Sequence, residues 1–193
     1  MENKLANLKG YLREIEGEKL MELASLVPES QAIVEIGSYK GKSTCYLASG
    51  SEGAMVYAID LWDLGNNTAT RYRKHATYQT FKEQVSNMGL MQKITITKGN
   101  SIDVAQTWNK PIGLLFIDGN HQYEFVKADY ESWHKFVVPG GYIAFHDYKN
   151  LDYPTVVGVG EFIDEVIKLS DLWHFIGLYH SLYVIRRKNN ATN

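Results

Sequence analysis

The sequence predicts an α/β fold built on a mostly parallel seven-stranded sheet, and three observations predict it. Short apolar runs with the length and β-branched content of buried strands recur at 32–36, 54–60, 93–98, 112–118 and 142–145. Stretches of helical periodicity separate them, the pattern of a sheet covered by helices. The chain then closes on two runs, 174–178 and 182–186, around Tyr179-His180-Ser181, which read as an antiparallel hairpin.

Composition narrows the class further. A chain of 193 residues with 45% hydrophobic and 22% charged content reads as one folded domain, 1–193, because it can bury a substantial core. The formal net charge of -2 gives no electrostatic footprint for nucleic acid or an anionic membrane, so neither is expected as a partner. Cys45 is the only cysteine, which rules out an internal disulfide or thiolate zinc site and fits a reducing cytoplasm. The N-terminus, Met1-Glu2-Asn3-Lys4, is polar, and no stretch reaches membrane-spanning length. A homodimer is compatible with all of this.

Taken in order, residues 2–26 carry Leu5, Leu8, Leu12, Ile15, Leu20, Leu23 and Leu26 near a helical period. Gly10 and Gly17 are expected to split this stretch, and Pro28 to end it, so that 1–28 forms a helical cover over one sheet face. The central stretch follows: Ala32–Gly41, AIVEIGSYKG, is a strand that breaks at Gly37, with a helix starting after Gly41. Such a turn brings backbone N–H groups to a ligand, with Gly37, Ser38 and Gly41 at the contact, and Glu35 at the strand end is placed to engage an ammonium. The second strand ends in Asp60, 19 residues past Gly41, where a carboxylate accepts hydrogen bonds from both hydroxyls of a ribose or serves as a turn residue. Trp62 either packs against a base or closes the core.

Leu61–His75 reads as a long polar stretch whose cations, Arg71, Arg73, Lys74 and His75, either hold an acidic substrate or form a solvated face. A helix pattern over 76–89 and a strand over 93–98 lead to Gly99-Asn100-Ser101. Asn100 and Ser101 lie one strand over from the glycine turn, where they either read an adenine edge or make the turn and N-cap of a short helix to Trp108.

The fourth strand ends in Asp118-Gly119-Asn120-His121, and Tyr123–Phe136 is an amphipathic helix. Pro139-Gly140-Gly141 turns into a strand at 142–145 that ends in His146-Asp147; after Pro154 a last helix spans 158–169. Two neighbouring strands thus each deliver a carboxylate to one sheet edge, with His121 and His146 beside them. Aspartate and histidine suit a hard or borderline divalent cation, and equally suit acid–base work on a hydroxyl.

Three motifs, VEIGSYKGKST (34–44), VYAIDLWD (56–63) and FIDGNHQYEFVKADYESWHKFVVPGGYIAFHDY (116–148), resemble the class I S-adenosylmethionine-dependent methyltransferases. Within that class the third, through DG-x-H-x-YE and PGGYI-x-x-HDY, resembles the small O-methyltransferases that include the macrocin and aminocoumarin sugar enzymes. The resemblance covers about 23–187 and implies a Rossmann-like sandwich with S-adenosyl-L-methionine as cofactor. It implies that Glu35, Gly37 and Gly41 flank the methionine moiety, that Asp60 holds the ribose, and that Asn100 and Ser101 lie near the adenine. It also implies a magnesium site on the ends of the fourth and fifth strands, which here are Asp118, His146 and Asp147. His146 departs from the acidic residue that relatives carry there, so manganese, or no metal, is equally compatible.

A sulfonium methyl is already electrophilic, so the protein must chiefly place an oxygen in line with it and withdraw its proton. His121 is the expected base, with Asp118 and Asp147 orienting it or holding a cation, and a small hydroxylated sugar or natural product is the expected acceptor. The remaining pieces, 62–75 and the N-terminal helices, are expected to cover the acceptor, with 62–75 poorly ordered without ligand. Two other readings stay open: a nicotinamide-dependent oxidoreductase, although Gly37–Gly41 lacks the G-x-G-x-x-G spacing, and a catalytically silent protein that keeps the pocket.

Overall fold

The computed structural model describes residues 4–62 and 68–189, with side chains described for 4–62 and 76–189. Its elements are α1 (Glu14–Ser25), β1 (Ala32–Ile36), α2 (Lys42–Gly50), β2 (Val56–Asp60), α3 (Thr68–Asn87), β3 (Ile94–Lys98), α4 (Ser101–Gln106), β4 (Ile112–Ile117), α5 (Tyr123–Trp133), β5 (Val137–Phe145), α6 (Gly158–Phe162), β6 (Trp173–Tyr179) and β7 (Leu182–Arg187). One seven-stranded sheet has the order β3-β2-β1-β4-β5-β7-β6. The pairs from β3 through β5 are parallel, while β7 runs antiparallel to both β5 and β6. The expected α/β architecture and closing hairpin are therefore present.

Both faces of the central strands are covered, which is why these strands read as continuous apolar runs rather than alternating ones. On one face Ile33, Leu114 and Phe116 pack with Leu20, Leu23, Leu47 and Phe81. On the other, Val34, Leu115 and Phe145 pack with Trp133 and Phe162. Strand β1 lies between β2 and β4, so chain order reverses there, and a crevice opens outside the carboxyl ends of these strands.

Several local expectations change. Gly17 does not split the N-terminal stretch: it lies inside α1 and lets the helix approach α2, since a Cβ on it would sit 2.6 Å from the Tyr46 ring. Helix α3 begins at Thr68 rather than at 76, so 68–75 is helical backbone, in keeping with the good helix propensity of its Ala, Arg and Lys residues. The rest of the expected poorly ordered cover, 63–67, lies outside the described residues. Strand β5 starts at Val137 and runs through Pro139-Gly140-Gly141, with a register shift against β4 that absorbs them. The last helix widens after Phe162 into a π-helical turn over Ile163–Ile167. Among the described residues no helix is long and apolar enough to cross a membrane.

Candidate active site

A cavity of about 620 Å³ occupies the crevice at the strand ends, within the size range of small-molecule sites. Its floor is the β1 turn. Gly37 and Gly41 have φ of 91° and 85°, conformations in which a side chain is strained. Neither amide is left for a ligand: Gly37 N–H donates to Ile59 O (2.9 Å) and Gly41 N–H to Ser38 O (2.7 Å). A Cβ at Gly37 would lie 2.1 Å from the Asp118 carbonyl oxygen, and one at Gly41 would lie 2.7 Å from Phe81. These glycines therefore let β1 pack against β4 and the turn against α3, and both line the cavity, where any backbone N–H offered to a ligand comes from other residues of the turn.

Glu35 also departs from expectation. It is wholly buried and does not line the cavity; the Thr44 hydroxyl donates to its Oε2, so its carboxylate sits behind the turn and does not reach a ligand ammonium. Burial pushes its pKa up to about 7, with the Ser43 and Thr44 hydroxyls opposing the shift. Ser38 does line the cavity, and its buried hydroxyl has no hydrogen-bond partner among the described residues.

Asp60 is at the cavity wall, as its strand-end position predicts. Its two oxygens accept from Tyr39 N–H and Trp62 N–H, each at 2.8 Å. Both donors sit at positive φ, 46° and 32°, so the carboxylate holds two strained residues in place. An ionised carboxylate has about four acceptor sites, so two amides leave room for ribose hydroxyls. Trp62 is not at the cavity. It is buried in the core between Tyr78 and Phe81, and its indole N–H donates to Tyr39 O (2.8 Å), which removes it from the expected base-stacking role.

Beyond β3, Asn100 and Ser101 both line the cavity, but each has a local task. Asn100 is the N-cap of α4, its side-chain oxygen accepting from Ile102 N–H (2.9 Å). The Ser101 hydroxyl donates to Asp129 on α5.

The ends of β4 and β5 bring Asp118, His121, His146 and Asp147 together. His121 Nε2 lies 3.1 Å from Asp147 Oδ2 and 3.4 Å from Asp118 Oδ1. His146 Nδ1 lies 3.1 Å from Asp118 Oδ1, while its Nε2 lies 3.1 Å from Glu16 Oε2 on α1. Burial works against a charged His146, but the carboxylates of Asp118, Asp147 and Glu16 outweigh it and hold its pKa well above the ordinary histidine value. Both His146 nitrogens are turned to carboxylates, and the group whose ligand atoms lie within 4.8 Å of one another among the described residues is Asp118, His121 and Asp147, so His121 stands where His146 was expected. The hydrogen bond to Asp118 raises the His121 pKa, helped by the charges of Asp118 and Asp147. Burial opposes ionisation of Asp147, yet His146 and Asn150 bring its pKa down to about 2.

The family model described as "Methyltransferase domain" matches residues 34–148, more than half of the chain. The chain belongs to the methyltransferase-domain family. The curated relatives include protein R132 of Acanthamoeba polyphaga mimivirus, 30% identical over 124 residues, which are 61% of this chain and 51% of that protein. Protein y4gI of Sinorhizobium fredii is 28% identical over 119 residues, 60% of this chain and 13% of that one. The matched region thus spans about half of one curated relative and 13% of the other. Among solved structures, an O-methyltransferase from Bacillus cereus in complex with S-adenosylhomocysteine has a TM-score of 0.68 at 19% identity, covering 98% of this chain and 92% of the other. An rRNA methylase from Streptococcus thermophilus has a TM-score of 0.64 at 14% identity, covering 94% and 100%. At such identities these structures show the shared fold.

Within this methyltransferase domain, three features at the site were not among the candidate residues that the sequence singled out. Glu16 is buried and accepts from Arg13 N–H, Ser181 N–H and the Ser181 hydroxyl as well as meeting His146. Asp129 lines the cavity from α5. Tyr11, Tyr39 and Tyr153 cluster at the cavity wall, Tyr11 stacking on Tyr39 at 5.7 Å and meeting Tyr153 edge-on at 6.2 Å. Helical periodicity marked none of them, because each acts across distant parts of the chain.

Proposed function

We propose that this domain binds S-adenosylmethionine and directs its methyl group to a hydroxyl of a small acceptor, a sugar or other natural product, with His121 as the base. The observation that carries the reading is the His121 imidazole at the cavity wall, its Nε2 held 3.1 Å from Asp147. The cofactor's fit is supported by Asp60, which keeps free acceptor sites at the second strand end, and by the unpartnered Ser38 hydroxyl in the same cavity. Family membership and the S-adenosylhomocysteine held by the Bacillus cereus structure point the same way. When bound, S-adenosylmethionine supplies an electrophilic methyl, which leaves the protein to position an oxygen and take its proton.

His121 donates Nε2–H to Asp147, which leaves Nδ1 as the nitrogen that would take the proton of an acceptor hydroxyl. The flanking carboxylates of Asp147 and Asp118 stabilise the imidazolium that results. His146, itself cationic, keeps Asp118 and Asp147 aligned from the other side. Tyr11, Tyr39 and Tyr153, with Gly10 and Leu12, line the cavity, and the tyrosine rings suit a ring-shaped acceptor.

A divalent ion fits the same residues: magnesium or manganese would rest on Asp118, His121 and Asp147 and would lower the pKa of a bound hydroxyl. His121 would then be a ligand rather than the base. The formal charge of -2 argues against an RNA acceptor. The order β3-β2-β1-β4-β5-β7-β6, with an antiparallel β7 between β5 and β6, differs from the 3-2-1-4-5-6 order of the dinucleotide-binding sheet and argues against a nicotinamide enzyme.

The test is turnover of His121→Ala with and without EDTA, on an acceptor found by screening hydroxylated small molecules. The expected result is unchanged S-adenosylhomocysteine affinity, a rate lower by roughly 10²–10⁴, and wild-type turnover indifferent to EDTA. Wild-type loss on chelation, with recovery on adding magnesium or manganese, would reassign His121 as a ligand. A His121→Ala rate equal to wild type would remove both roles.

A further inference from the structure

We propose that Asn150 is a positioning residue for the acceptor site, because it decides which oxygen of Asp147 faces His121; the inference rests on the reading of His121 and Asp147 given above. Two imidazoles and two carboxylates form a closed square at the ends of β4 and β5. His121 Nε2 lies 3.1 Å from Asp147 Oδ2 and 3.4 Å from Asp118 Oδ1. His146 Nδ1 reverses the order, at 3.1 Å from Asp118 Oδ1 and 3.4 Å from Asp147 Oδ2. One oxygen of each aspartate thus meets both rings. The torsion that turns a carboxylate is broad, so an aspartate held by nothing else would present either oxygen.

Asn150 removes that freedom at Asp147. Its side-chain amide donates to Asp147 Oδ1, which leaves Oδ2 to the imidazoles. The amide's own orientation is set in turn, because its oxygen accepts from Asp152 N–H (2.9 Å), so the NH₂ end points at Asp147. Asn150 is 6% exposed and does not line the cavity, so it acts through Asp147 rather than on a ligand. The backbone bends sharply to make this bond. Asp147 and Lys149 have φ of 62° and 48°, the left-handed region that non-glycine residues enter at a cost. Between them Tyr148 is held at both ends, its N–H donating to Ser181 O (2.9 Å) and its hydroxyl to Asp164 Oδ1 (2.9 Å). The turn so formed brings Asn150 back to Asp147, three residues earlier. A strained turn that closes on one buried side-chain bond, beside the expected base, fixes a geometry.

Long-range 1H–15N correlation spectra of imidazole-labelled protein in EDTA test this, on the wild type, Asn150→Asp, Asn150→Ala and Lys149→Ala, with the His121 ring assigned by its absence from His121→Ala. Asn150→Asp keeps the shape and the acceptor for Asp152 N–H but loses the amide donor. Lys149→Ala disturbs the same turn where its side chain meets Asp164 (2.7 Å). The wild type should carry a His121 proton on Nε2, shifted downfield by its hydrogen bond. Both Asn150 variants should lose that shift, and Lys149→Ala should keep it. On an acceptor found by the screen above, the Asn150 variants should lose ~10- to 100-fold in kcat with little change in KM, the range for outer-shell partners and slightly misplaced reacting groups. A His121 signal unchanged in whichever Asn150 variant folds, or lost equally in Lys149→Ala, would overturn the inference. A wild-type proton on Nδ1 alone would do so without any variant. S-adenosylhomocysteine binding is measured on the same samples: its failure in the wild type would sink the cofactor reading, while the imidazole signal would still decide the role of Asn150.

Discussion

Glu16 and Glu35 are both wholly buried, one on α1 and one on β1, yet the protein handles them in opposite ways. Around Glu16 the fold gathers donors from four places: Arg13 N–H, Ser181 N–H and hydroxyl, the His180 ring, and the charged His146. Burial pushes its pKa up, and these partners outweigh that and bring it down to about 2. Around Glu35 the donors are short hydroxyls, one oxygen has no partner, and burial lifts the pKa to about 7. The same desolvation therefore yields a fixed charge in one place and, in the other, an acid that titrates near neutral pH. What differs is the supply of donors. The charged glutamate ties α1 to the hairpin turn and to the β5 end, beside the His146 that meets Asp118 and Asp147. The other braces the turn between β1 and α2.

Removing the charged hub should have the largest effect. Glu16→Ala leaves a buried imidazolium, two backbone N–H donors and one hydroxyl donor unmatched, and should cost about 3–5 kcal/mol in urea unfolding at pH 7. A loss below about 1 kcal/mol would mean that water replaces the carboxylate and that the hub is not a tie.

The two glutamates should also separate by pH. For Glu16 the folded pKa is depressed from 4.5 to about 2, so its contribution is complete above pH 4.5 and is lost as pH falls toward 2. For Glu35 the folded pKa is raised from 4.5 to about 7, so its contribution is complete below pH 4.5 and is lost as pH rises through 7. Each window is worth about 3 kcal/mol. Glu35→Gln should therefore gain about that much on the wild type between pH 4.5 and 8, and Glu16→Gln should lose its acid-side slope. Parallel stability curves for wild type and Glu35→Gln would contradict the neutral state of Glu35.

Asp60 lies between the two extremes, with one backbone amide on each oxygen. Asp60→Ala should weaken S-adenosylhomocysteine by about 1–3 kcal/mol in calorimetry, since ribose hydroxyls lose their acceptor and Tyr39 and Trp62 lose their brace. Unchanged affinity would move the ribose elsewhere. Smallest of all, Thr44→Val removes the donor to Glu35 and should cost about 1 kcal/mol at pH 8, with less effect at pH 5, where the acid is neutral in the fold.

What the sequence made legible was local. The strand, turn and helix at 32–50 and the placement of Asp60 follow from a run of residues that fold next to one another. Asp118, His121 and Asp147 were also found, because strand ends fall at a predictable edge. The misreadings share a cause in long-range contact. Trp62 turns inward because Asp60 holds its amide at positive φ, and no pattern in VYAIDLWD signals that. His146 sits among acids like a metal ligand, but Glu16, 130 positions away, takes its other nitrogen and makes it a cation. Asp129 looks like an ordinary polar residue on an amphipathic helix until Ser101, 28 positions earlier, is seen to meet it in the cavity.

The occupant of that cavity is tested most directly by titrating the wild-type domain with S-adenosylhomocysteine and, separately, with NAD in a calorimeter. Saturable one-to-one binding of S-adenosylhomocysteine with no response to NAD is the predicted result; tight NAD binding with no response to S-adenosylhomocysteine would contradict it.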